Sequence, residues 1–114
     1  MRVGILEAAM SMQVLFNYHA GVAHSDTLED HVRHQIDQCV GRYTDRLTRI
    51  EVHIADENAH KHGGTAKRCT LEARPAGMHP IAVESRGSDF YAAVTDAAGK
   101  LGRALTHRFA RASA

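Results

Sequence analysis

The sequence predicts an α+β fold, in which a four-stranded mixed sheet carries two helices packed on one face. Four segments alternate apolar and polar side chains, and two others repeat apolar side chains every three or four residues. These periods are typical of half-buried strands and amphipathic helices. The segments follow one another as β-α-β-β-β-α. Since each has one apolar side, both helices are expected to cover the same face of the sheet.

The first strand and the first helix are predicted from the N-terminal half of the chain. Apolar residues occupy the even positions from Met12 to Tyr18, which indicates a strand. Asp26 and Glu29 form a predicted capping box at the start of the helix. Its apolar face predicts a helix of about five turns. That face consists of Leu28, Val32, Ile36, Cys39, Val40, Tyr43 and Leu47.

Three further strands and a second helix complete the pattern. The apolar positions of the strands are Ile50, Val52 and Ile54, then Cys69, Leu71 and Ala73, then Ile81 and Val83. A polar stretch at 56–66 with Gly63-Gly64 predicts a hairpin connection, and the fourth strand is expected to end near Gly87. Ser88 or Asp89 caps the second helix, whose apolar face is Phe90, Val94, Ala97, Ala98, Leu101 and Leu105.

The connections predict the pairing of the strands, and the length predicts the domain organisation. A helix between the first two strands makes them parallel neighbours, and the short later connections predict an antiparallel meander. The 114 residues fit one domain, assigned to 12–114. Residues 1–11 are expected to form a flexible extension, because Glu7 breaks an apolar run already too short for a signal or spanning segment. Two cysteines form no disulfide framework, so a cytoplasmic location is expected.

The formal net charge of +1 is the sum of regions with opposite charge. Helical geometry places Asp26, Asp30 and Asp37 on one flank of the first helix. The opposite flank carries His31, Gln35, Gln38, Arg42 and Arg46. The second helix has a basic stripe of Lys100, Arg103, His107 and Arg111, with Arg108 near its end. Two readings remain open: the flanks join into one basic groove, or these cations are simply solvated and favoured by the helix dipole.

No residue pattern predicts an enzyme or a metal site. His60-x-His62 follows Asp56 and Glu57, but no third ligand has a fixed spacing, so a solvated turn is expected. Both cysteines fall on apolar faces and are interpreted as core thiols. The sequence contains neither a P-loop nor a GxGxxG run. We therefore expect no catalytic residue, no cofactor, no small-molecule substrate and no membrane partner.

The second helix carries the residues of a known family signature. Asp89-Phe90-Tyr91-Ala92-Ala93-Val94, followed by Lys100-Leu101-Gly102-Arg103-Ala104-Leu105, resembles the D-M/F-Y-x-A-I…K-L-x-R-x-L pattern. This is the pattern of the bacterial hibernation-promoting factor and ribosome-associated inhibitor family, also called sigma-54 modulation proteins. The stretch from Ser25 to Val52 is similar to that family's first helix and following strand. The chain resembles the family's short form.

The resemblance implies a non-catalytic factor that binds ribosomal RNA at the decoding region of the small ribosomal subunit and silences translation in stress or stationary phase. It implies an RNA-binding surface made of Arg42, Arg46, Lys100, Arg103, His107, Arg108 and Arg111, with His31 as a pH-tuned contact. RNA read through its phosphates needs placed cations rather than aromatic platforms, which suits an aromatic content of 5%.

Gln35 and Gln38 depart from the family, which usually carries basic residues on this side of the helix. The departure predicts weaker RNA affinity, or affinity that depends more on pH through His31 and His107. The alternative function is a stress-response module that has left the ribosome and binds a protein through its uncovered sheet face. The sequence leaves open the oligomeric state and whether the protein promotes ribosome pairs or idle single ribosomes.

Overall fold

A computed structural model of the chain describes residues 12–57 and 66–113. Its elements are β1 (Gln13–Tyr18), α1 (Asp26–Val40), a 3-10 helix (Gly41–Arg46), β2 (Leu47–Asp56), β3 (Lys67–Pro75), β4 (Ile81–Gly87) and α2 (Phe90–Ser113). This order confirms the predicted β-α-β-β-β-α fold. The extension assigned to 1–11, the His60-x-His62 motif and Gly63-Gly64 lie outside the described residues.

The four strands form one mixed sheet in the order β1-β2-β3-β4. β1 and β2 are parallel, with Val14 opposite Ile50, whereas the β2–β3 and β3–β4 pairs are antiparallel. The predicted crossover and meander are both confirmed. Since α1 connects two adjacent parallel strands, it returns across one face of the sheet.

The sheet has a buried face and an uncovered face. Val52, Leu71 and Val83 lie opposite one another across three strands, and the first two are completely buried. Glu51 and Glu72 alternate with them and point away from the helices. Both helices pack on the buried face, where aliphatic side chains from all of these elements form one core. The expectation that the helices share a face is therefore confirmed.

The predicted capping box of α1 is wrong by one residue. The N-cap is Ser25, whose Oγ accepts a hydrogen bond from the Leu28 amide at 3.2 Å. Asp26 is the first helical residue, and its carboxylate contacts His24 at 2.7 Å instead. Glu29 does not reach back to the cap, because its carboxylate accepts a hydrogen bond from the Tyr18 hydroxyl at 2.9 Å. This bond ties the end of β1 to the first turn of α1.

The first helix is also shorter than predicted. α1 ends at Val40, and the chain continues as a 3-10 helix to Arg46. Leu47 is buried as the first residue of β2, opposite Pro75, rather than on the helical face. Its spacing of four from Tyr43 fits a helix, but a buried side chain at a strand start gives the same spacing. The prediction from periodicity alone therefore made the helix too long.

The second helix begins as predicted and extends further than its predicted apolar face. Asp89 is the cap, because its Oδ1 accepts a hydrogen bond from the Ala92 amide at 2.8 Å. Phe109 adds a buried aromatic ring near the C-terminal end of the helix. Within the described residues, neither helix is both long and apolar enough to cross a membrane.

Candidate nucleic-acid interface

The two helices lie side by side and run in the same direction. The hydroxyl groups of Thr27 and Tyr91 are 3.0 Å apart near the start of both helices. Near the other end, the hydroxyl groups of Tyr43 and Thr106 are 2.7 Å apart. Between these contacts the backbones approach so closely that a Cβ built on Gly102 would lie 2.5 Å from the Cys39 carbonyl oxygen. A glycine is therefore required at this contact between the helices.

A groove opens between the C-terminal halves of the two helices and has a volume of about 600 Å³. Its lining consists of Cys39, Arg42, Gly99, Gly102, Arg103, Thr106, His107 and Ala110. In the described part of the chain no carboxylate lines this groove, whereas two arginines and a histidine do. Arg42, which the sequence placed on the first helix, lies instead in the 3-10 helix, and it lines the groove together with Arg103 and His107 of the α2 stripe. Such an arrangement favours an anion.

Arginines without a carboxylate partner are concentrated in the helical layer, by which we mean α1, the 3-10 helix and α2. Among the described residues, every arginine outside this layer is paired with a glutamate. Within the layer, five described arginines have no carboxylate within 4.0 Å: Arg42, Arg46, Arg103, Arg108 and Arg111. All five belong to the surface predicted from the sequence. Their charge is not neutralised by the fold.

Aromatic rings and a carbonyl group hold three of these arginines in place. The Arg46 guanidinium lies 3.8 Å from the centre of the Phe109 ring, and that of Arg42 lies 5.2 Å from the Tyr43 ring. Arg108 donates a hydrogen bond to the His79 carbonyl oxygen at 2.8 Å. A guanidinium held in this way loses less side-chain entropy when it binds a second group.

Lys100 differs from its predicted neighbours on α2. Its ammonium group donates to the Glu84 carbonyl oxygen at 2.9 Å and lies 3.6 Å from Asp96, and it does not line the groove. The Ser85 hydroxyl donates to the same Asp96 carboxylate. That bond and the nearby Lys100 charge lower the pKa of Asp96. Lys100 therefore joins α2 to β4, with its charge partly neutralised.

His31 makes a contact between the helices instead of facing the groove. It is half-buried, and its Nε2 lies 3.2 Å from the Tyr91 carbonyl oxygen and 3.0 Å from Thr95 Oγ1. Nε2 is within hydrogen-bonding distance of both groups, so the imidazole joins α1 to α2. The two departures from the family, Gln35 and Gln38, do not line the groove either. The groove itself therefore includes neither glutamine.

Several residues of the groove were not predicted from the sequence. Gly99, Gly102 and Thr106 follow one another at spacings of three and four along the side of α2 that faces α1. This spacing places them on one helical face, and two glycines there indicate a close helix contact. That pattern was the available signal, and it was missed because only charged residues were placed around the helix.

One cluster in the described residues has the composition of a metal site. His24, Asp26 and Glu29 have ligand atoms within 4.8 Å of one another at the start of α1. The imidazole lies 2.7 Å from Asp26 and 3.4 Å from Glu29 through its two nitrogens. The hydrogen bond to Asp26 raises the pKa of His24. The imidazole contacts both carboxylates, and these contacts explain why the three side chains lie together.

Comparison with known proteins connects this fold to one family. The family model described as "Sigma 54 modulation protein / S30EA ribosomal protein" matches residues 17–112. A ribosomal subunit interface protein from Coxiella burnetii has a similar structure, with a TM-score of 0.69 and 18% identity over 87% of this chain and 99% of that one. The Protein Y N-terminal domain of Thermus thermophilus gives 0.61 and 20% identity, covering 83% and 93%. No curated protein matches the sequence significantly.

Proposed function

The chain belongs to the sigma-54 modulation protein / S30EA ribosomal protein family, and from this we propose that it is a ribosome-associated factor that binds small-subunit ribosomal RNA. In this proposal the protein occupies the decoding region during stress or stationary phase and inhibits translation without catalysis. A structural neighbour described as a ribosomal subunit interface protein supports the ribosome as partner. Such a role gives the protein a cytoplasmic location.

One observation carries the proposal: among the described residues, the arginines that lack a carboxylate partner all lie in the helical layer. An unpaired arginine can use its whole guanidinium fork on a phosphate, whereas a paired one must first release a carboxylate. Arg42 and Arg103 line one groove with His107, and no acid of residues 12–57 or 66–113 lines it with them. RNA is bound largely through its phosphates and its shape, which is what placed cations recognise.

In the mechanism we propose, the protein inhibits translation by covering a segment of ribosomal RNA. The groove takes the phosphates of an RNA segment, and the arginines beyond it, Arg46, Arg108 and Arg111, hold neighbouring phosphates. Because Arg46 and Arg108 are already oriented by Phe109 and His79, their contacts cost less entropy than free side chains would. RNA covered in this way is not available to messenger and transfer RNA, so translation stops while the protein is bound.

Sedimentation with purified small ribosomal subunits tests the proposal. We expect the protein to travel with the subunits at low salt and to be released as salt is added. Five phosphate contacts predict that the logarithm of affinity falls with the logarithm of salt at a slope of roughly −3.5 to −4.5. A protein that stays at the top of the gradient at low salt contradicts the proposal. Binding with a flat salt response favours the alternative, a protein-binding module that uses the uncovered sheet face.

A further inference from the structure

Tyr91 is exposed in a way that its role in the fold does not explain. Among the described residues, only Leu15 and Tyr91 are large hydrophobic side chains classed as exposed, at 42% and 44%. Tyr91 lies in the first turn of α2 and belongs to the family signature, yet the groove does not include it. A bond between its hydroxyl and α1 explains the hydroxyl but leaves the open part of the ring without a purpose.

The ring of Tyr91 is held from two sides. Its hydroxyl lies 3.0 Å from Thr27 Oγ1, and the His31 ring meets it edge to face with centroids 5.1 Å apart. His31 is in turn fixed by the Tyr91 carbonyl oxygen and by Thr95 Oγ1. The ring is therefore fixed before any ligand arrives, so that stacking on it costs little side-chain entropy.

Tyr91 also lies in line with the basic groove. Tyr91, Thr95 and Gly99 are four residues apart on the side of α2 that faces α1, and Gly99 already lines the groove. Arg103 is twelve residues from Tyr91, about 18 Å along the helix axis. A polynucleotide bound in the groove through its phosphates can extend along the contact between the helices to the ring.

We infer that Tyr91 is a stacking platform for one unpaired RNA base, next to the phosphate-binding groove. This inference rests on the proposed function and identifies the RNA as one with an unpaired stretch beside the segment held by the groove. A base inside a duplex has its faces covered by its neighbours, whereas a base in a loop can stack on an aromatic ring. Arginines on phosphates give affinity, and the ring distinguishes unpaired from paired RNA.

A hairpin RNA with a single fluorescent 2-aminopurine in its loop provides the test, with the full chain as binding partner. Tyr91→Leu removes the ring, and Tyr91→Phe keeps the ring but removes the bond to Thr27. We expect Tyr91→Leu to lose the quenching of 2-aminopurine and to bind about five- to a hundredfold more weakly. Tyr91→Phe is expected to keep the quenching. Leu15→Ala on the uncovered sheet face is the matched control and should behave as the unmodified protein.

The possible results separate this inference from the proposed function. If Tyr91→Leu keeps both affinity and quenching while Arg103→Glu loses affinity, the ring is not a platform and the groove still binds RNA. Equal losses from Leu15→Ala and Tyr91→Leu also overturn the platform. If Arg103→Glu binds as well as the unmodified protein, the groove is overturned instead. If the unmodified protein does not bind the hairpin, both are overturned. Thermal denaturation of each variant establishes that it is folded.

Discussion

The uncovered sheet face and the helical layer both carry arginines. Among the described residues, every arginine on the sheet face is paired with a glutamate, whereas in the helical layer only Arg33 is. On the sheet, Arg86 lies 2.8 Å from Glu57 and 2.6 Å from Glu84, and Arg49 lies 2.7 Å from Glu51. In the helical layer Arg42 and Arg103 line a groove to which no described residue contributes a carboxylate. The net charge of +1 therefore hides a local arrangement, because most acids of the helical layer, Asp26, Glu29, Asp30 and Asp37, lie on α1 and do not line the groove. The position of the acids, rather than the total charge, identifies the surface suited to RNA.

The sheet face is balanced because of the way its charges alternate along each strand. Like charges lie opposite each other across strands, with Glu51 opposite Glu72 and Arg49 opposite Arg74. Opposite charges lie two residues apart on the same strand, which places them side by side on one face. Arg49 and Glu51 pair in this way, and so do Glu72 and Arg74. In the helical layer, among the described arginines and lysines, only Arg33 and Lys100 have such a neighbour, Glu29 at 3.9 Å and Asp96 at 3.6 Å.

Reversing two charges in the groove is expected to have the largest effect. Arg42→Glu combined with Arg103→Glu replaces two phosphate-binding groups by repelling carboxylates. We expect binding to small ribosomal subunits to weaken by more than about a hundredfold, because each charged hydrogen bond contributes about 1.5–3 kcal/mol. Sedimentation at several protein concentrations measures this loss.

The sheet face provides a matched control for that variant. Arg68→Glu combined with Arg86→Glu changes the net charge by the same amount on the opposite side of the molecule. We expect subunit binding to remain near its original strength. Equal losses from the two double variants would mean that only total charge matters, and the comparison between the faces would fail. If a double variant does not fold, arginine-to-glutamine pairs at the same positions give the same comparison.

A smaller effect is expected from the glycine that brings the helices together. Gly102→Ala places a Cβ 2.5 Å from the Cys39 carbonyl oxygen, so the helices must separate. We expect a loss of about 1–3 kcal/mol in the free energy of unfolding, which urea denaturation measures. Gly99→Ala is the control, because its Cβ meets only the end of the Arg103 side chain at 3.4 Å. A stability for Gly102→Ala equal to that of Gly99→Ala would contradict the close contact.

The smallest effect is expected on stability when the pH is lowered, through Glu57 on the sheet face. The hydrogen bond from Arg86 lowers the pKa of Glu57 below its ordinary 4.5. A carboxyl group whose pKa is lower in the folded than in the unfolded chain stabilises the fold at any pH above its unfolded pKa. This stabilisation is lost as the pH falls through the pKa of the folded state. Glu57→Gln should therefore be slightly less stable than the unmodified protein above pH 4.5, and the difference should disappear in stronger acid. Urea midpoints across this range test it, and a constant difference would contradict it.

The sequence predicted the fold well because alternation and helical spacing report directly on which side chains are buried. The two errors arose where one pattern fits two structures. Leu47 suits either a helical face or a strand start, and Asp26 suits either an N-cap or a first helical turn.

The site was predicted less completely, because ion pairing and contact between helices depend on the folded chain. Helical geometry placed Arg42 and Arg103 on facing flanks, and the structure puts both in the groove. Helical geometry could not show that Lys100 is bonded to β4, or that His31 lies between the helices. Those contacts join residues far apart in sequence, so their partners could not be read from local spacing.

Electron cryo-microscopy of the protein bound to small ribosomal subunits tests the central claim most directly. We expect the helical layer to face ribosomal RNA, with phosphates in the groove at Arg42 and Arg103 and the sheet face turned away. A complex in which the sheet face contacts the RNA while the groove stays open to solvent would contradict the account.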